Sequence, residues 1–167
     1  MMKAPFRERL DFDSGSGQVL DESRRYMLMR PEALMGLFRR LDDETRLKAL
    51  DALAASVIEM GGDSARAYKA HGGGNADALL STVAGTAPDL GWGAWSFARV
   101  SSGIELTVRN SPFAAGYGSA SQPVCHAIAG MVTAVSRMVL DSDDIVARET
   151  ECAACGAPAC RFEARQI

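Results

Sequence analysis

The chain has 167 residues, 47% hydrophobic and 23% charged, a composition that suits one globular ligand-binding domain over residues 1–167 with a substantial core. A formal net charge of −3 and an isoelectric point near 5.4 exclude a basic nucleic-acid-binding face, and no apolar run reaches bilayer-spanning length. The N-terminus lacks the apolar stretch of a signal peptide, so the thiols are expected in a reducing cytoplasm, where clustered cysteines favour metal over disulfides.

Residues 9–13 alternate weakly and read as a first strand, followed by the turn Asp13-Ser-Gly-Ser-Gly17. Gln18 to Met29 reads as two short strands around a turn, which makes residues 1–30 an N-terminal strand segment suited to dimerisation. Pro31 then opens a helix, and Leu34, Leu37, Phe38 and Leu41 follow the spacing of one buried face. A second helix begins at Asp42 or Asp43, whose carboxylates can cap the amides of Glu44 to Arg46. Gly61-Gly62 is expected to interrupt it, with helix resuming from Asp63 to His71 and stopping at Gly72-Gly73-Gly74. That glycine run has no phosphate-cradling context, and His71 reads as a residue favoured by the helix dipole.

A further helix is expected from Asn75 to Ala84, ended by Gly85 and Pro88. From Ala94 the apolar period becomes two. Trp95, Phe97 and Arg99 share one face, and after Ser101-Ser102-Gly103 so do Ile104, Leu106 and Val108, which predicts an antiparallel hairpin. Asn110 to Gly118 reads as a loop into a helix over Pro123–Val139, whose apolar face is Val124, Ile128, Met131, Val132, Val135, Met138 and Val139, with Cys125 pointing inward.

All four cysteines fall in this last part of the chain: Cys125, then Cys152, Cys155 and Cys160 within nine positions around a Gly-Ala-Pro turn. Strand alternation puts Ile145, Ala147 and Glu149 on one side, and Cys160, Phe162 and Ala164 on the buried side of a last strand. A buried carboxylate needs a partner or a metal, and the simplest assembly is Cys125, Glu149, Cys152 and Cys160 around one zinc. Two alternatives remain open on spacing alone: Cys155 in place of Glu149, or a redox pair such as Cys152–Cys155. Pattern and order together predict an α+β fold, an antiparallel sheet with helices packed on one face and a zinc-braced C-terminal strand pair.

Pro123-Val124-Cys125 with Gly130 in the same helix, then Glu149-x2-Cys152-x3-Gly156-x3-Cys160-x-Phe162, resembles the 4-vinyl reductase domain family. The match is close over residues 119–163, within a zinc-motif region of 119–167, and loose over most of the chain. The family includes the sensor domains of phenol- and xylene-responsive activators of the NtrC type. The resemblance implies that Cys125, Glu149, Cys152 and Cys160 bind a structural zinc beside a hydrophobic effector pocket, and it favours Glu149 over Cys155. It implies pocket walls at Trp95, Phe97, Val108, Ile128, Ala129, Val132 and Ala147. A tryptophan of those sensors falls at Val108 here, an aromatic at Ala147, and their phenol-binding histidine has no counterpart. A ligand bulkier than phenol is therefore expected.

A zinc with four protein ligands has no open position for water, so the leading expectation is a small-molecule sensor or carrier and not an enzyme. The chain ends at Ile167 without the ATPase and DNA-binding domains of those activators, so signalling is expected through a homodimer or a separate signalling protein. The rival reading is a vinyl-reductase-type or tetrapyrrole-binding accessory protein of bacteriochlorophyll synthesis, which the resemblance also admits. Against an enzyme, the sequence shows no nicotinamide or flavin fingerprint and no Gly-x-Ser-x-Gly elbow. Only two histidines are present, and His126 reads as a surface or outer residue beside Cys125.

Overall fold

The computed structural model describes residues 5–70 and 75–167, the side chains of 64–70 excepted. A short helix, α1 (Phe6–Arg9), leads into β1 (Asp11–Asp13), β2 (Gln18–Asp21) and β3 (Arg24–Tyr26), which pair antiparallel in that order as a small sheet. The expected first strand at 9–13 is thus divided between α1 and β1. Buried Asp21 accepts two hydrogen bonds from Arg9, at 2.8 and 3.0 Å, and Phe6 meets Tyr26 edge-on. The strand alternation expected through Met29 stops at Tyr26, and Met27, Leu28 and Met29 lie exposed beyond it.

Two helices follow, α2 (Pro31–Arg39) and α3 (Asp43–Ala70). Asp42 caps α3 by accepting the Thr45 N–H at 3.0 Å, and Arg46 ties the junction by donating to the carbonyls of Phe38 and Leu41. The expected break at Gly61-Gly62 does not occur: α3 runs through both. Gly61 is buried at a helix crossing, where a Cβ would sit 3.1 Å from the Met131 sulfur. The close approach explains the glycine, and packing outweighs its propensity cost of about 1 kcal/mol. The stop at Gly72–Gly74 and the helix-end His71 lie outside the described residues.

The next helix, α4 (Ala76–Asp89), is capped by Asn75, which accepts the Ala78 N–H at 3.1 Å. It continues past Gly85 and Pro88, where the sequence suggests an end. Pro88 sits in the last turn, where its missing N–H costs little, and α4 is held against β4 (Ala94–Val100). The hairpin of β4 and β5 (Gly103–Arg109) forms as expected, with Trp95 opposite Val108. The loop expected from Asn110 contains a short helix, α5 (Pro112–Tyr117). Beyond it come α6 (His126–Leu140), β6 (Ile145–Glu151), a 3-10 turn (Ala153–Cys155) and β7 (Cys160–Gln166).

The main sheet has the antiparallel order β4-β5-β7-β6. Its inner face buries Trp95, Ile104, Leu106, Val108, Ile145, Ala147, Cys160, Phe162 and Ala164, while Ser96, Ala98, Arg148 and Arg161 are exposed on the other side. This is the α+β arrangement the periodicity predicts. Ile128, Val132 and Val135 of α6 are buried in the same core, each contributing about 1.5–3 kcal/mol. The other side of α6 lies against α3, where a Cβ on Gly130 would be 2.5 Å from the Ala54 carbonyl oxygen. Thr133 and Arg137 hook α6 to β6: the Thr133 hydroxyl accepts the Ala147 N–H, and Arg137 donates to the Ile145 carbonyl, each at 2.9 Å. Among the described residues no helix is long and apolar enough to cross a membrane.

Candidate metal centre

Four chain features converge at one end of the α6–sheet layer. Cys125 is the N-cap of α6, one residue before the helix, although the apolar periodicity places it inside. Alternation along β6 and β7 turns Glu149 and Cys160 inward, and a register shift between Glu149 and Glu151 lets β6 leave the sheet at Cys152. The 3-10 turn then reverses the chain through Gly156, whose φ of 96° favours glycine. Ligand atoms of Cys125, Glu149, Cys152 and Cys160 all lie within 4.8 Å of one another, and the Cys125 and Cys160 sulfurs are 3.7 Å apart. All three sulfurs belong to buried residues, whereas Cys155 is exposed on the turn.

The surroundings supply hydrogen-bond donors. The Cys125 N–H donates to Glu149 Oε2 at 2.8 Å, and the Ala153 N–H donates to the Cys160 sulfur at 3.3 Å. The buried Ser111 hydroxyl lies 3.3 Å from the Cys125 sulfur. The second carboxylate oxygen, Glu149 Oε1, is buried with no hydrogen-bond partner. Burial pushes the Glu149 carboxyl up to about 8, against the pull of the Cys125 N–H, and neighbouring Cys152 adds to the rise. Hydrogen bonds with Cys152 and Cys160, then burial, hold Cys125 protonated. Those from Cys125 and Cys160 push Cys152 down. Cys160 is held at about 12: its bond with Cys125 favours the thiolate, but Cys152 and burial outweigh it.

A buried cluster of this kind is strained as long as it holds only protons. Three sulfurs and a carboxylate oxygen are the donor set of a tetrahedral soft-to-borderline cation, and the orphaned Oε1 is the acceptor such a cation would satisfy. The residues therefore fit a metal ion with four protein ligands. A centre of that kind has no position left for a reacting water.

The residues read as pocket walls are spread across the width of the sheet. Trp95 and Phe97 lie on β4, the edge strand beside α4, with their rings 5.9 Å apart. Val108, Ile128 and Val132 are sealed in the central core, and Ala147 lies on β6, the opposite edge. Ala129 is partly buried and passes its carbonyl to Thr133, on the side that hooks β6. The seven share one apolar layer without surrounding a single point. Two surface clefts, of about 300 and 330 Å³, open elsewhere: on the outer face of β6 and β7, and between α3 and the C-terminal end of α6.

His126 lies beside the cluster but turns to α3, where its Nδ1 is 2.9 Å from Asp51. Two features escape the sequence reading, α5 and Ser111. The signal is present: Ser111-Pro112 is a capping residue followed by proline at the first helical position, and Ser111 does accept the Ala114 N–H at 3.4 Å. Phe113 of α5 meets Trp92 edge-on at 5.1 Å, extending the aromatic row of Trp92, Trp95 and Phe97.

Residues 104–166 match the model of the 4-vinyl reductase domain, which bears out the resemblance drawn from the cysteine and glutamate motif. The phenol-responsive sensory domain of the transcription activator PoxR, in its crystal structure with phenol, is similar in fold: TM-score 0.78, 22% identity, covering 95% of this chain and 85% of that one. A vinyl-4-reductase family protein from Methanocaldococcus jannaschii is also similar, at TM-score 0.50 and 14% identity, covering 82% of this chain and 90% of that one. No curated protein matches the sequence.

Proposed function

We propose that this chain, whose residues 104–166 match the 4-vinyl reductase domain, is a cytoplasmic binding module for a small hydrophobic or aromatic molecule, braced by one structural zinc at Cys125, Glu149, Cys152 and Cys160. The observation that carries the reading is the placement of this donor set, which joins the N-terminus of α6 to the β6–β7 turn at the border of the apolar layer. A zinc there would supply a fixed bracket and no activated water. The PoxR domain, whose fold this chain shares, responds to phenol, and that supports a sensing role.

The ligand class follows from the side chains. Trp95, Phe97, Val108, Ile128, Ala129, Val132 and Ala147 offer aromatic and aliphatic surface and no charge. Val108 and Ala147 leave space that larger residues would fill, which favours a molecule bulkier than phenol. Entry is easiest at the seam between α4 and β4, where Trp92 and Phe97 are only partly buried. The bound state passes to a second copy or a separate signalling protein. The exposed Phe12, Met27, Leu28 and Met29 of the N-terminal segment are the contact proposed for the homodimer.

The test is native mass spectrometry of the purified protein with metal analysis, followed by calorimetry with phenol and with two- and three-ring arenes. One zinc per chain and arene binding tighter than phenol binding are expected. A carefully reduced protein that carries no zinc overturns the metal reading, and tight binding of phenol itself overturns the ligand-size argument.

A further inference from the structure

A zinc bound by three thiolates and one carboxylate leaves the centre doubly negative in a buried place, so its stability depends on the donors aimed at its ligands. Each of the four ligands has one. Glu149 receives the Cys125 N–H at 2.8 Å, Cys160 receives the Ala153 N–H at 3.3 Å, and Cys152 is hydrogen-bonded by the Val124 N–H. For Cys125 the partner is the Ser111 hydroxyl, 3.3 Å from its sulfur. Three of these donors are backbone groups, which no substitution at their own positions deletes short of proline. Ser111 is the side-chain donor of the set.

The direction of the Ser111 bond follows from its other partner. Its oxygen accepts the Ala114 N–H at 3.4 Å, capping α5, and at 3% exposure the residue has little access to competing water. A metal-bound Cys125 is a thiolate and can only accept. The hydroxyl proton therefore points to sulfur.

Resting on the zinc reading above, we propose that Ser111 is a positioning residue of the metal centre, whose hydroxyl donates to the Cys125 thiolate and tunes its basicity while the same oxygen caps α5. Through it the centre reaches into the loop between the hairpin and α6, well outside the cysteine motif. The bond withdraws charge from one sulfur, so the centre holds zinc more tightly and its Cys125 thiolate is less nucleophilic.

The experiment uses the full chain with cobalt(II) in place of zinc. The thiolate-to-cobalt charge-transfer band and zinc affinity by chelator competition are measured for wild type, Ser111→Ala, Ser111→Gly and Ser111→Thr. Glycine caps a helix nearly as well as serine, so Ser111→Gly removes the donor and largely spares α5. Both donor-less variants are expected to bind zinc about 10–100-fold more weakly and to move the band to longer wavelength, with Ser111→Thr returning toward wild type. A band and affinity unmoved in Ser111→Ala and Ser111→Gly overturn the assignment and leave Ser111 as a helix cap alone. A wild-type protein that takes up neither cobalt nor zinc overturns the metal centre itself, and the Ser111 assignment with it.

Discussion

Glu149 accepts the backbone N–H of Cys125 through Oε2 at 2.8 Å and leaves its other oxygen, Oε1, buried without a partner. One oxygen thus orients the carboxylate from the N-terminus of α6, and the other is presented to the three sulfurs. An unsatisfied buried acceptor costs about 1–3 kcal/mol, more when charged, so the arrangement is favourable only when a cation completes it. Glu149→Gln keeps the shape and the Oε2-type acceptor but removes the charge. Zinc affinity is expected to fall by more than the roughly 100-fold that loss of an outer partner can cause. The metal-free variant is expected to be at least as stable as metal-free wild type. Metal analysis and urea unfolding in chelator check both halves. Unchanged zinc affinity in Glu149→Gln would remove Glu149 from the ligand set.

The spacing of Cys152 and Cys155 leaves open which of them serves the metal. In the structure Cys152 is buried in the cluster and Cys155 is exposed outside it. Cys155→Ser is expected to keep full zinc content, and Cys152→Ser to lose it. A reversal of that order in metal analysis would return Cys155 to the site.

Metal uptake should also be strongly pH-dependent, with a sign that the protonation states define. At neutral pH, without metal, Cys125 and Cys160 hold their protons, and Glu149, raised to about 8, is mostly protonated. Cys152 is pushed the other way and has little to lose. Ligands must shed protons to bind, so zinc uptake near pH 7 is expected to release about three. Affinity therefore rises with pH, and its slope lessens as pH passes through about 8, where Glu149 is already ionised. Calorimetry in buffers of different ionisation enthalpy counts the protons. Uptake with no proton release would contradict the buried, protonated cluster.

What the sequence makes legible is whatever depends on period two and on polar chemistry. Cys160, Phe162 and Ala164 alternate inward, the Trp95 face pairs with Val108, and the Asp42 cap is present. What it hides depends on long-range approach. Gly61-Gly62 carries the local signal of a helix stop, yet α3 continues, because the same residues let α6 come close. Pro88 misleads in the same way, since a proline in a last turn costs little when the helix is held by its neighbours. The pocket residues fare differently. Each is apolar and inward or partly buried, but a linear pattern holds no information on the separation of β4 from β6 across three strand spacings, roughly 14 Å.

Gly130 tests the crossing that holds the whole centre in place. A Cβ there would lie 2.5 Å from the Ala54 carbonyl oxygen and 3.1 Å from the Ala54 carbonyl carbon and Cα, all backbone atoms. No rotamer change relieves that overlap, so Gly130→Ala must push α6 away from α3. Gly85, exposed within α4, is the opposite case: a Cβ there meets nothing within 4 Å. The helix-propensity gain of alanine, about 1 kcal/mol, is common to both sites. Gly85→Ala is therefore expected to stabilise the protein by about that amount. At Gly130 overpacking is expected to outweigh it, for a net loss of about 1–3 kcal/mol. The displacement of α6 would carry Cys125 with it, so zinc affinity should fall in Gly130→Ala and stay unchanged in Gly85→Ala. Urea unfolding and chelator competition on both variants decide it: equal stabilisation by the two would mean that α3 and α6 do not approach as closely as Gly130 and Ala54 require.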